Sequence, residues 1–122
     1  MNFRILGLLA VFALPGCSTF TAIQSATVDP QKVVIAANSF DAVEVTATNY
    51  LTLPKCPDAK VCKSSAVVAK LVPAVKEGRV ARNKLEAFML ANPNQPVPVS
   101  GYDTLMTAVT SAQGLLAAYN AK

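Results

Sequence analysis

The chain has three cysteines, at positions 17, 56 and 62, and no histidine among its 122 residues. Thiols can carry lipid, form a disulfide, ligate metal or act in redox exchange. Without histidine, hydrolytic triads and most general-base schemes lose their usual proton carrier. The sequence also lacks a glycine-rich phosphate loop and a nucleophile elbow. We therefore expect no enzyme, no catalytic residue and no bound cofactor.

The amino-terminal segment has the layout of an export signal. Arg4 supplies a cation, residues 5–14 are almost wholly apolar, and small residues precede the first cysteine. Ten apolar residues are too few to span a bilayer as a helix. We expect residues 1–16 to be a signal peptide that is removed.

Leu14-Pro15-Gly16-Cys17 resembles the lipobox of bacterial lipoprotein precursors. The resemblance covers residues 1–17 only, and Pro15 replaces the small or β-branched residue usual at its position. It implies a thioether-linked diacylglycerol on Cys17, with fatty acyl chains such as palmitate and an acylated amino terminus. The alternative is an ordinary cysteine that follows an ordinary signal peptide.

If the resemblance holds, the mature protein is exported and anchored by lipid, because two or more acyl chains hold a protein stably on a membrane. In Gram-negative lipoproteins, the residue after the lipidated cysteine directs sorting, and Asp tends to retain the protein at the inner membrane. Ser18 at this position implies the periplasmic face of the outer membrane. The remainder of the chain suggests no family.

Once the resemblance assigns Cys17 to lipid, Cys56 and Cys62 are left as an even pair in an oxidising compartment, which favours a disulfide. Closing so short a loop contributes about 2 kcal/mol in the chain-entropy model. A metal site is the competing interpretation, but two thiolates without histidine lack partner ligands. A redox motif would have the spacing Cys-x-x-Cys. We expect a structural disulfide and no metal.

Residues 17–28 read as the lipidated cysteine and a flexible tether, and residues 29–122 as one helical domain with helices at about 30–53, 64–92 and 101–120. Asp29 before Pro30 has the form of an N-cap followed by proline at the first helical position. Apolar residues recur at spacings that are mostly three and four. They are Val33, Ala36, Phe40, Val43, Ala47 and Tyr50, then Val67, Leu71, Ala74, Gly78, Ala81, Leu85 and Phe88, then Tyr102, Leu105, Val109, Ala112, Leu116 and Tyr119.

Three such stripes predict an all-α fold, a small antiparallel three-helix bundle. The β-branched stretches of the first helix leave a strand as an alternative, although strict alternation is absent. Pro73 should kink or interrupt the second helix. The small residues Ala74, Gly78 and Ala81 favour close approach of a neighbouring helix.

The segment 92–99 contains three prolines and is predicted to be an extended connector. A docking strand for another protein is the alternative. Ser100 and Asp103 then have the Ser-x-x-Asp form of a capping box that would open the third helix.

Positive charge is concentrated in the middle of the chain. The formal net charge is +4, and the segment between Lys55 and Lys84 opposes its cations with only Asp58 and Glu77. A solvated face explains this pattern, and contact with anionic lipid, lipopolysaccharide or cell-wall polymer is the alternative. The segment lacks the interleaved aromatics that stack bases, so no nucleic-acid partner is expected.

These features together predict a non-enzymatic envelope lipoprotein that acts as a structural or protein-interaction module. Its partners would be the membrane, through lipid on Cys17, and an envelope protein or cell-wall polymer. One alternative is a small-ligand-binding lipoprotein with a cavity opened by the kink at Pro73 and the small residues after it. Another is a surface factor, encoded by a mobile element, that blocks a receptor.

The terminal Lys122 has two interpretations. A carboxy-terminal lysine on a helical outer-membrane lipoprotein is similar to the murein lipoproteins, whose final lysine is joined to peptidoglycan. The long uninterrupted heptad coil of those proteins is missing here. A solvated cation at a helix C-terminus is the other interpretation.

Overall fold

A computed structural model of the chain describes residues 26–120 and contains three helices and one short antiparallel sheet. The elements in chain order are β1 (Thr27–Val28), α1 (Pro30–Thr52), α2 (Ser65–Ala91), β2 (Val97–Pro98) and α3 (Val99–Asn120). Helix α2 runs antiparallel to α1 and α3, and all three share one core. The predicted all-α three-helix bundle is confirmed. None of the helices in this part of the chain is long and apolar enough to cross a membrane.

Helix α1 begins where the sequence predicts. The carboxylate of Asp29 accepts a hydrogen bond from the backbone N–H of Gln31 at 2.7 Å, and Pro30 is the first helical residue. This satisfies one of the donors that a helix N-terminus leaves free. All six residues of the predicted stripe are buried, from Val33 to Tyr50. The strand alternative for this segment is wrong.

Helix α2 continues through Pro73 without interruption, so the predicted break does not occur. Leu71 and Val75, on either side of the proline, are buried in the core. Their burial against the other helices holds the helix together where the proline removes a hydrogen bond. The buried positions are Leu71, Val75, Gly78, Ala81 and Leu85, so Val75 replaces the predicted Ala74.

The ring of Phe40 on α1 packs directly against the backbone of α2 at Gly78. A Cβ atom on this residue would lie 2.8 Å from Cδ2 and Cζ of Phe40 and nearer still to Cε2. The fully buried ring of Phe40 therefore occupies the space that a side chain on Gly78 would need. The prediction that small residues on α2 permit close helix packing is confirmed at this position.

Helix α3 begins at Val99, two residues before the predicted start, and Ser100 is not its cap. β1 and β2 pair antiparallel, with Val28 opposite Val97. The backbone N–H of Val99 donates to the carbonyl of Ala26 at 3.1 Å. A contact that is distant in sequence therefore satisfies the N–H of the first residue of α3. The extended geometry predicted for the proline-rich connector is present at β2.

The opposite end of the bundle is closed by two tyrosines and by the loop between α1 and α2. The rings of Tyr50 and Tyr119 meet edge to face with centroids 5.5 Å apart. The hydroxyl of Tyr50 accepts from the backbone N–H of Ser64 at 2.7 Å, and the ammonium of Lys63 donates to the carbonyl of Leu51. The loop is thus attached to the bundle at its second end.

Within this loop the structure places the sulfurs of Cys56 and Cys62 at bonding distance, with their Cα atoms 5.0 Å apart. That Cα separation lies within the range of protein disulfides. Two backbone hydrogen bonds run beside the bridge, from Cys56 N to Lys63 O and from Lys63 N to Pro54 O. The pair closes the turn between α1 and α2.

The packing at Gly78 predicts the sign of a helix substitution. Gly78→Ala should lower the free energy of unfolding by about 1–3 kcal/mol, because overpacking against Phe40 exceeds the gain in helix propensity. Gly114→Ala on α3 is the matched control, since a Cβ there has no neighbour within 4 Å. It should raise the free energy by about 0.5–1 kcal/mol. Urea unfolding followed by circular dichroism measures both, and stabilisation by Gly78→Ala would contradict the packing.

The disulfide makes a second stability prediction. The double variant Cys56→Ser/Cys62→Ser should retain its helical circular dichroism and lose about 2 kcal/mol of unfolding free energy, the loop-closure contribution. Reduced wild type should unfold like the double variant. Mass spectrometry that finds two free thiols at these positions in protein isolated from cells would show that the bond does not form in the cell.

Candidate functional site

An open groove of about 700 Å³ lies between the outer face of α2, strand β2 and the first turn of α3. Its volume falls within the range of small-molecule sites. The groove runs along α2 from Pro73 to Phe88, about 22 Å at the rise of an α-helix.

A second glycine brings the walls of this groove together. A Cβ on Gly101 would lie 2.9 Å from Cδ2 of Leu85, so the glycine lets the first turn of α3 approach this side chain of α2 more closely than a residue with a Cβ would. Leu85 is buried beneath this contact, and fully buried Val97 holds β2 against both helices. Because residues on either side of the groove are buried in the core, we infer that the groove is preformed.

The groove has an apolar surface and a rim of charged side chains. Val80, Phe88 and Pro98 supply apolar surface, and Lys76 and Lys84 lie on the rim. The two lysines are two helical turns apart on α2, about 12 Å along the axis. One carboxylate, Glu77, also lines the groove, so cations are in excess there.

The arginines of α2 are engaged elsewhere. Arg79 pairs with Glu44, and Arg82 pairs with Asp41 at 3.3 Å and with Glu86 at 2.6 Å. The first two pairs join α2 to α1, so part of the basic middle segment braces the bundle and is not simply solvated.

The lysines of the groove take no part in that bracing. In the part of the chain that the structure describes, no ion pair includes Lys76 or Lys84. Both side chains are exposed. Their ammonium groups are therefore available to an anionic ligand.

The remaining polar groups of the groove are hydroxyls. Thr104 donates its hydroxyl to the carbonyl of Ser100 at 2.8 Å within α3. Residues 26–120 contain no cluster of three or more His, Cys, Asp or Glu side chains that could hold a metal ion. The groove thus offers apolar surface, two ammonium groups, one carboxylate and hydroxyls, which are groups that can bind a ligand.

The structure does not bring the predicted site residues to this groove. Cys56 and Cys62 lie at the other end of the bundle. The lipobox, with Cys17, and the terminal Lys122 lie outside the described residues. No cavity opens over Gly78, because the ring of Phe40 fills that space. Two concavities are nevertheless lined by Pro73 and by a small residue after it, the groove by Ala81 and a second concavity of about 550 Å³ by Ala74. The groove begins at Pro73 and continues past Ala81 to Phe88.

The residues of the groove carried a weak signal in the sequence. Val97 is a single apolar residue between two prolines in a polar connector, and its full burial marks where that connector contacts the helices. Val80 lies off the predicted stripe and is 47% exposed.

Comparison of the chain with protein-family models, with curated proteins and with solved structures gives no match in any of the three.

Proposed function

We propose that the protein is a non-enzymatic envelope lipoprotein, held by lipid on Cys17, that presents its helical bundle as an interaction module. The observation that carries this proposal is the preformed apolar groove with a lysine rim, at the end of the bundle where the tether joins. The lipobox resemblance supports export to the periplasmic face of the outer membrane. The partner is an envelope protein, a cell-wall polymer or a component of the membrane itself.

The position of Ala26 relates the groove to the anchor. The carbonyl of Ala26 binds the N–H of Val99, the residue that directly follows β2 at the groove wall. Eight residues lie between Cys17 and Ala26, and the nine steps of chain that join the two residues reach about 30 Å at most when fully extended. A lipid on Cys17 would therefore keep the groove close to the membrane surface.

The cystine loop lies at the far end of α1. This helix has 23 residues and is about 34 Å long. An anchored bundle could thus offer two separate surfaces, the groove near the membrane and the loop away from it. This arrangement suits a module that contacts another component while attached to lipid.

A small-ligand-binding lipoprotein is the second candidate function. The volume and apolar surface of the groove favour it. The two candidates use the same surface and differ in what occupies it.

The anchor is tested by replacing its cysteine. Wild type should incorporate labelled fatty acid and fractionate with membrane, whereas Cys17→Ser should do neither, because the acyl chains supply the membrane affinity. Cys56→Ser/Cys62→Ser is the matched control and should remain labelled. A Cys17→Ser protein that still floats with membrane at high salt would show that the lipobox interpretation is wrong.

Interaction through the groove is tested by photo-crosslinking in intact cells. A photoreactive residue in place of Val80 should form a discrete adduct, because this side chain lies in the groove. Replacement of Val45 on α1 is the control, since Val45 is 62% exposed and lies outside the groove. The same adducts from both positions would show contact without a specific surface.

A further inference from the structure

We infer that the groove binds a single-chain anionic lipid, with its acyl chain along the apolar surface and its acidic headgroup at the rim lysines. This assignment deepens the proposed function and rests on it for the supply of ligand. It depends on the arrangement of three residues on α2 and on the place where the chain enters the bundle.

The apolar surface of the groove is continuous with the two cations. Val80 is 47% exposed and stands four residues from Lys76 on one side and from Lys84 on the other. Residues four apart on a helix lie on the same face, so the three side chains form one strip. The alkyl stems of lysines can lie along apolar surface while their ammonium groups stay in water. A ligand on this strip meets apolar carbon along its length and positive charge at its edge.

The charge of the rim selects the sign of the headgroup. Two lysines outside the described ion pairs face one carboxylate, Glu77. An anion is therefore favoured over a neutral or cationic headgroup at the same site. Because the lysines are exposed, each contributes modestly and the preference should weaken as salt is added.

The shape of the groove favours one acyl chain. It extends about 22 Å along α2 and is open to solvent along one side. An extended chain can lie in such a groove with its headgroup in water.

The location of the groove favours a lipid over a soluble ligand. The chain enters the bundle through Ala26, which binds Val99 beside the groove. With Cys17 lipidated, only the eight residues 18–25 lie between the lipidated residue and Ala26, so membrane lipids are the amphiphiles at the highest local concentration. An acidic amphipathic peptide has similar chemistry and serves as a competing outcome of the test.

The test measures binding of a fluorescent C16 fatty acid and of its methyl ester to the exported chain carrying Cys17→Ser. The fatty acid should bind more tightly than the neutral ester. Lys76→Gln/Lys84→Gln should weaken binding of the fatty acid about three- to tenfold and leave the ester unaffected. Lys32→Gln/Lys70→Gln removes the same net charge from exposed sites outside the groove and is the matched control.

A second pair of variants tests the apolar surface. Val80→Gln should weaken binding of both probes about tenfold, whereas Val72→Gln should not, although Val72 is on the same helix and is 46% exposed. Neither substitution enters the core, so circular dichroism should show folded protein in both cases. Any probe bound by other apolar residues contributes equally to parent and variants.

Equal affinity for acid and ester, or equal effects of the groove and control variants, would overturn the assignment. So would groove-dependent binding of an acidic Leu/Glu peptide by a protein that does not bind the fatty acid. Because the assay uses unlipidated protein, its failure leaves the anchor untouched. Conversely, a Cys17→Ser protein that remains on membranes refutes the anchor without deciding what the groove binds.

Discussion

The position of α1 on α2 is set by the ring of Phe40, which packs directly on the backbone of Gly78 because α2 has no side chain at that residue. The same contact brings two arginines, in the helical turn of α2 that follows Gly78, near two carboxylates in the turn of α1 that follows Phe40. Arg79 meets Glu44, and Arg82 meets Asp41. These pairs are partly exposed and contribute about 1 kcal/mol or less each. The apolar contact therefore sets the geometry, and the ion pairs follow from it.

A second glycine determines what α2 leaves uncovered. Gly101 brings the first turn of α3 onto Leu85, and the pairing of β1 with β2 fixes where that turn begins. Helix α2 is then packed on two sides, and its remaining face, with Val80 and the lysines beside it, stays open next to β2. The groove is thus a consequence of the approach at Gly101 and the burial of Val97, both of which also stabilise the bundle.

Local periodicity predicted the helices well, because burial of one face repeats every 3.6 residues. All six residues of the α1 stripe are buried as predicted. The prediction shifted on α2, where contact with two neighbours favours Val75 over Ala74 as a buried position. It was wrong at Ser100, because α3 begins one residue earlier, at Val99, whose N–H donates to the carbonyl of Ala26, far away in sequence. The groove is formed by α2, β2 and the first turn of α3. The apolar periodicity of one helix cannot predict which other segments pack beside it.

An open groove with exposed lysines would be a weak site for a ligand taken from dilute solution, because exposed charges contribute little and the ligand remains partly solvated. A lipid anchor on Cys17 would raise the occupancy that such a weak site can reach. If Cys17 carries lipid, about 30 Å of chain at most separates the groove from the bilayer. The membrane lipid that the groove binds then has an effective concentration in the millimolar range, as for a tethered partner. Weak affinity is then enough for occupancy, and a shallow, accessible groove permits rapid exchange with the membrane. The position of the groove beside Ala26 is therefore as important to the proposed binding as its chemistry.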